Sequence, residues 1–289
     1  MYTVTEPMAP FLAEPSKLGT EISITEKWTP IEKSGLFARS AGSKQVNIAL
    51  KKLLSEASKH TGLLAMEIDP AVGGNAVLLH QVFSDAESLV EYYSPTDGDI
   101  LDSLLEAVKP DIQLVRGADV PSTVVDAIAS RGIPAVFGEH IFGFVKNDYR
   151  QPDYSSAIDV TAKWTCKPGE IAQLDKLKYW WQRVGTDAYT LEEGLLRFEV
   201  YQAIGEDALI IHDTFADTAV LKFHLMKGTA KIYKSDIDKV AIAERYVFRG
   251  PVSWLIRTYS KILRLPATYS NRGDRHSQSG GNMSDGTTE

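Results

Sequence analysis

Two histidines stand in matching surroundings, His80 in AVLLHQVF and His212 in ALIIHDTF. Imidazole titrates near neutral pH, so a histidine in an apolar strand can take up or deliver a proton to a bound molecule. Around His212 the neighbouring segment LLRFEVYQA places Arg197, Glu199 and Tyr201 at alternate positions. Alternate residues of a strand share a face. These three therefore look one way, and Leu196, Phe198 and Val200 look the other. On the histidine strand, His212 and Asp213 must point in opposite directions. A histidine–acid pair then needs Glu199 or Glu244 from another strand. His212 is the leading acid–base candidate, with Glu199, Tyr201 and Arg197 as orienting or charge-stabilising groups. Trp164, Trp181, Phe215, Glu244, His80 and Trp28 are candidate lining residues of a substrate pocket. Each has a structural alternative: hydrogen bonds at the join between repeats for the histidines, salt bridges to Arg197, Arg245 or Lys163 for the glutamates, core packing for the tryptophans.

The match between the histidine segments extends further. Residues 62–93 align with 194–225 without a gap, with 11 of 32 positions identical; unrelated sequences of ordinary composition give roughly two. An internal repeat of this kind governs the fold. Each copy opens on an alternating strand, ISITEKWT at 22–29 and IDVTAKWT at 158–165, pairing Trp28 with Trp164. A helix follows, with Ser43 as a cap before Val46, Ala49, Leu50, Leu53 and Leu54 in the first copy. In the second copy Pro168 precedes Ile171, Leu174, Leu177, Trp181 and Val184. Turns are expected at 73–75 and 205–207, and Asp85 and Asp217 stand where a carboxylate caps a second helix. For the closing strand, 135–145 is set against 242–252, aligning Glu139 with Glu244. That alignment leaves the first copy with an insertion at about 110–134.

Strand–helix–strand–strand–helix–strand is the ferredoxin-like order. One such sheet has helices on one face only, so two copies are expected to close into an α+β, pseudo-dimeric α/β barrel. The expected organisation is an N-terminal extension at 1–20, a first repeat at 21–148, a second at 155–252, an amphipathic helix at 253–269 and a disordered tail at 270–289. The 253–265 helix reads as packing on the barrel, with a lid or a membrane-surface contact as the alternative.

The chain has 289 residues and a net charge of −7, against a nucleic-acid partner. Its single cysteine, Cys166, allows no intrachain disulfide and no cysteine-rich zinc site. The N-terminus lacks a signal-peptide pattern and no stretch is long enough for a membrane span, so a soluble, cytoplasmic protein without stable membrane insertion is expected. No glycine-rich phosphate loop or nucleophile elbow is present, and no cofactor is expected. A fused pseudo-dimer has less need of a partner, yet a homodimer is possible.

The segment 192–225, EEGLLRFEVYQAIGEDALIIHDTFADTAVLKFHL, carries a resemblance. Its Gly194–Tyr201 strand, the second strand ending in Phe215 with Asp217 after it, and His224–Leu225 are similar to the antibiotic-biosynthesis-monooxygenase-like branch of the dimeric α/β barrels. RYVFRGPV at 245–252 resembles the closing strand of many members. The resemblance implies a barrel and a small-molecule reaction without a bound cofactor. His212–Asp213 stands where those oxygenases commonly have an aromatic residue and Glu. The expected activity is cyclisation or isomerisation of a hydrophobic molecule such as a polyketide or terpenoid. The alternatives are cofactor-free monooxygenation of an electron-rich aromatic, and a non-catalytic binding or stress-related role.

Overall fold

The computed structural model describes residues 19–31, 48–55, 57, 59–72, 76–94, 98–111, 113–146, 156–169, 172–270 and 274–277. Ser43, Val46, Ile171 and the turn at 73–75 lie outside them. The first repeat runs β1 (Ile22–Pro30), α1 (residues 48–55), β2 (Leu63–Pro70), β3 (Val77–Phe83), α2 (Ala86–Tyr93), α3 (Gly98–Leu105), β4 (Val108–Pro110), β5 (Gln113–Gly117), α4 (Ser122–Ser130) and β6 (Ala135–Val145). The second runs β7 (Ile158–Cys166), α5 (Gln173–Leu191), β8 (Leu195–Ala203), β9 (Ala208–Phe215), α6 (Thr218–Met226), α7 (Thr229–Val240), β10 (Ala241–Arg249), α8 (Trp254–Ile262), β11 (Ala267–Ser270) and β12 (Asp274–Ser277).

The described strands belong to one sheet, in the order β11-β10-β7-β9-β8-β6-β5-β1-β3-β2-β12, with β4 pairing with β1. Within it β10-β7-β9-β8 and β5-β1-β3-β2 are each a ferredoxin-like sheet. The two ends of the path come from one stretch of chain: β11 pairs with β10, and β12 pairs with β2. Ser270 also bridges to Ala71, and the Val72 amide donates to the Tyr269 carbonyl at 2.8 Å. The sheet thereby returns on itself, giving an α+β pseudo-dimeric barrel from two tandem repeats.

The register corrects the expected insertion. Arg116 on β5 lies opposite Ser23, and Arg249 on β10 lies opposite Asp159, the repeat-mate of Ser23. On their other sides Arg116 faces Gly138 of β6, and Arg249 faces Ser270 of β11. The true correspondence is therefore β5–α4–β6 with β10–α8–β11. Residues 110–134 are not extra, and the helix at 253–265 is not outside the repeat. The spacing from His80 to Arg116 is 36 residues, and from His212 to Arg249 it is 37. The tail is corrected too, since residues 274–277 add a strand to β2.

Both faces of the barrel strands are covered, so their side chains sort by parity. The helix-facing set forms one apolar core per repeat, built around Trp28, Phe83 and Tyr93 in the first and Trp164, Trp181, Phe198 and Phe215 in the second. α5 contributes Leu177, Trp181 and Val184 from the periodic face read from the sequence, and Ala188 one turn further on. Asp85 and Asp217 cap α2 and α6 as expected, accepting from the Ser88 amide and from the Ala219 and Val220 amides.

The set facing into the barrel is polar around its two arginines and apolar where Leu114, Val136, Ala203, Ala208 and Ile210 meet Tyr201. Arg249, 2% exposed, donates from Nε to Asp69 at 3.0 Å and from Nη2 to Glu67, while Asp159 stands 3.9 Å from Nη1. This cluster joins β10 to β2 across the seam of the sheet. Burial alone would lower the Arg249 pKa, but the three carboxylates outweigh it and raise it. Removing the guanidinium leaves Asp69 buried without its main counter-charge. Arg249→Met is expected to cost about 3–5 kcal/mol, read as a lower urea midpoint. An unchanged midpoint would show that the seam holds without it.

Candidate active site

Parity places the sequence candidates on two sides of one sheet. His212, Glu199, Tyr201 and Arg197 face into the barrel. Glu199 is fully buried, accepting from Arg197 Nε at 2.5 Å and from the Tyr201 hydroxyl at 2.7 Å. Burial pushes its pKa up, but the Arg197 charge and both hydrogen bonds outweigh that and hold it below the ordinary carboxylate value. His212 Nδ1 lies 3.0 Å from the Thr161 hydroxyl, and His80 Nδ1 lies 3.2 Å from Thr25, the repeat-mate of Thr161. Burial, reinforced by nearby arginines, lowers both imidazole pKa values well below the usual range, so both stay neutral. Glu244 is on the rim instead, paired with Lys163 at 3.0 Å.

A cavity lies on the opposite side, between the second repeat's sheet and its helices. Its walls include Trp164, Trp181, Phe215, Tyr246, Asp213 and His224. Three of these, Trp164, Trp181 and Phe215, are among the residues expected to line a pocket. Trp28 and His80 are not at this cavity. It measures about 60 Å³, enough for a few waters. Leu263 and Leu265, at the end of α8, and Lys234 of α7 complete it. Arg264 between the two leucines has a left-handed backbone, with φ of 55°.

The first repeat shows what makes the cavity. Its matching positions hold Glu26 for Ala162, Gln81 for Asp213, Tyr93 for Leu225 and Gln113 for Tyr246. These polar groups bond to one another. Glu26 accepts from Trp28 Nε1 and from Gln113 at 2.5 Å, and Tyr93 donates to Gln81 at 3.3 Å. The space is plugged in one half. Ala162 and Leu225 leave it open in the other.

Two acid–base features adjoin the open cavity. Asp213 is 7% exposed, and its Oδ1 has no hydrogen-bond partner. Burial pushes its pKa up to about 7, partly opposed by His224. His224 Nδ1 lies 2.7 Å from Glu192, which the Thr229 amide and hydroxyl also hold at 2.8 and 2.7 Å. A carboxylate on one ring nitrogen fixes the tautomer and orientation of the imidazole. The indole Nε1 atoms of Trp164 and Trp181 are buried without partners, leaving two donors in the cavity walls. His212 and Asp213 point in opposite directions, as consecutive strand residues must, and it is Asp213 that reaches the cavity. The His224 ring is buried and paired. Among the described residues no group of three or more His, Cys, Asp or Glu could hold a metal ion, and no helix is long and apolar enough to cross a membrane.

No family model and no curated protein matches the chain. Solved structures with related outlines exist. An anthrone oxidase-like protein is 9% identical, covering 89% of this chain and 93% of that one, with a TM-score of 0.49. A candidate monooxygenase from Lactobacillus acidophilus is 12% identical over 79% of this chain and 91% of that one, with a TM-score of 0.45. A candidate antibiotic biosynthesis monooxygenase from Chloroflexus aurantiacus is 18% identical over 34% of this chain and 95% of that one, with a TM-score of 0.28. The strand order and register, rather than these scores, make the fold a dimeric α/β barrel completed within one chain.

The raised Asp213 pKa sets a pH signature. Between about pH 4 and 7 the folded chain keeps this proton and the unfolded chain has lost it, so stability falls as pH rises through that window. Asp213→Asn is expected to remove a slope of up to about 1.4 kcal/mol per pH unit, seen by comparing urea unfolding of wild type and variant. Glu26, with a pKa also raised to about 7 by burial, contributes equally to both proteins. Parallel stability–pH curves would contradict the assignment.

Proposed function

We propose that the chain is an enzyme that isomerises or cyclises a small hydrophobic molecule by proton transfer in the second-repeat cavity. The observation that carries this reading is a buried carboxyl without a partner at Oδ1, lining the same apolar cavity as an oriented imidazole. Asp213, protonated up to neutral pH, donates a proton to the substrate. His224, held by Glu192, accepts one. A protonated carboxyl and an oriented imidazole at one site supply an acid and a base. The aromatic walls hold the substrate in a reactive conformation, which lowers a barrier without further chemistry. The cavity at 60 Å³ is smaller than a polycyclic ligand, so Leu263 and Leu265 move when substrate enters. His212, Glu199, Tyr201 and Arg197 are assigned here to the polar interior of the barrel and not to the reacting atoms.

The test uses a panel of polyketide- and terpenoid-type ketones, followed by NMR in deuterated water. Asp213→Asn and His224→Gln are each expected to slow conversion and solvent-proton incorporation about 100-fold or more, with the fold retained by circular dichroism. Rates should be equal in air and under strict anaerobiosis. Conversion that requires oxygen would replace this reading with cofactor-free monooxygenation. Turnover unaffected by either substitution would sink it.

A further inference from the structure

The two arginines inside the barrel are repeat-mates with unequal surroundings. Arg249 meets Asp69 at Nε, Glu67 at Nη2 and Asp159 near Nη1. At the mates of those carboxylates, Arg116 meets Tyr201 in place of Asp69 and Ser23 in place of Asp159. The third mate, Glu199, is already engaged through Oε2 by Arg197 and Tyr201. Arg197 itself has Ala65 as its mate, so nothing competes for Glu67 on the other side in the same way. Arg116 is 1% exposed, and its one hydrogen bond within range runs from Nη2 to the Thr25 hydroxyl at 3.2 Å. Its guanidinium also lies 5.8 Å from the Tyr201 ring centroid. Nε and Nη1 have no partner among the described residues.

A buried guanidinium with idle donors is costly unless a counter-charge reaches it. The twin site shows what that counter-charge is: a carboxylate on Nε. We propose that Arg116 binds a small monovalent anion, a halide or a formate-sized carboxylate, inside the barrel against its idle Nε and Nη1 donors. The site is separate from the cavity at Asp213, because Arg116 and Asp213 lie on opposite faces of the sheet. Its neighbours are His80 and His212, both neutral, and the hydroxyl of Thr25. Glu199 and Asp159 also act on the Arg116 charge from a distance, opposed by Arg197, but neither hydrogen-bonds to it, and Glu67 and Asp69 are gathered at Arg249. A guanidinium offers five N–H donors in a planar fork, suited to a carboxylate and able to hold a halide.

The test is thermal unfolding in a sulfonate buffer titrated with chloride, bromide or formate, together with crystals grown in bromide. Wild type is expected to show a saturable rise in Tm, roughly 5 °C at a hundredfold excess over Kd. Arg116→Gln should lose the saturable component. Tyr201→Asp, which restores the carboxylate of the twin, should be insensitive to the anion while remaining folded. The crystals should show an anomalous peak in contact with Nε or Nη1 of Arg116. A Tm rise that is linear in salt and equal in wild type and Arg116→Gln would overturn the proposal. So would bromide crystals with only water against the guanidinium, whether or not either variant folds.

Discussion

A strand buried on both faces has no neutral side, and that constraint orders this molecule. Between its bulges each barrel strand sends alternate residues into different environments, one inside the barrel, where the arginines and histidines sit, the other largely apolar and roofed by helices. His212 and Asp213 are consecutive, yet they belong to different chemistries. His212 joins arginines and hydroxyls inside the barrel. Asp213 enters an apolar layer where a carboxylate has few partners. A single-residue slip in β9 would exchange them, so the register set by β7 and β8 is what holds an ionisable group against the cavity.

Duplication supplies the closed barrel, and divergence makes its halves unequal. On the helix side, the first repeat fills its space with Glu26, Gln81, Tyr93 and Gln113, which hydrogen-bond to one another. The second substitutes Ala162, Asp213, Leu225 and Tyr246, and the space opens. Inside the barrel the imbalance runs the other way. Arg249 is surrounded by carboxylates and its pKa is raised, whereas burial lowers that of Arg116 to about 10. The same pair of backbone positions thus gives a seam in one half and an under-neutralised charge in the other.

Much of the architecture is legible in the sequence because the best-preserved block contains two whole strands and their turn. Matching Trp28 with Trp164 and His80 with His212 places β1, β3, β7 and β9 correctly, and alternation sorts Glu199 from Phe198. The end of the repeat is harder to read. Beyond residue 93 the copies keep few identities, and the apolar runs of β6 and β10 look alike, so Glu139 was set against Glu244. The usable signal was Arg-Gly followed by Pro-Ala, at 116–117 and 134–135 and again at 249–250 and 266–267. Hydrogen-bond register makes that match unambiguous. The site is less legible still. A cavity arises from what is small, and Ala162 opposite Glu26 is informative only once both are known to sit in the same layer. The Glu192–His224 pair joins residues 32 apart, through packing that no periodicity encodes.

In the proposed enzyme small molecules are handled on the helix side of the second repeat and not within the barrel. A crystal structure with a bound aromatic ketone such as 2-tetralone tests this directly. The ligand density is expected between Trp164, Trp181 and Tyr246, with the carbonyl oxygen within hydrogen-bonding reach of Asp213 and with Leu263 and Leu265 displaced. Density between His80 and His212, with the helix-side cavity unchanged, would contradict it.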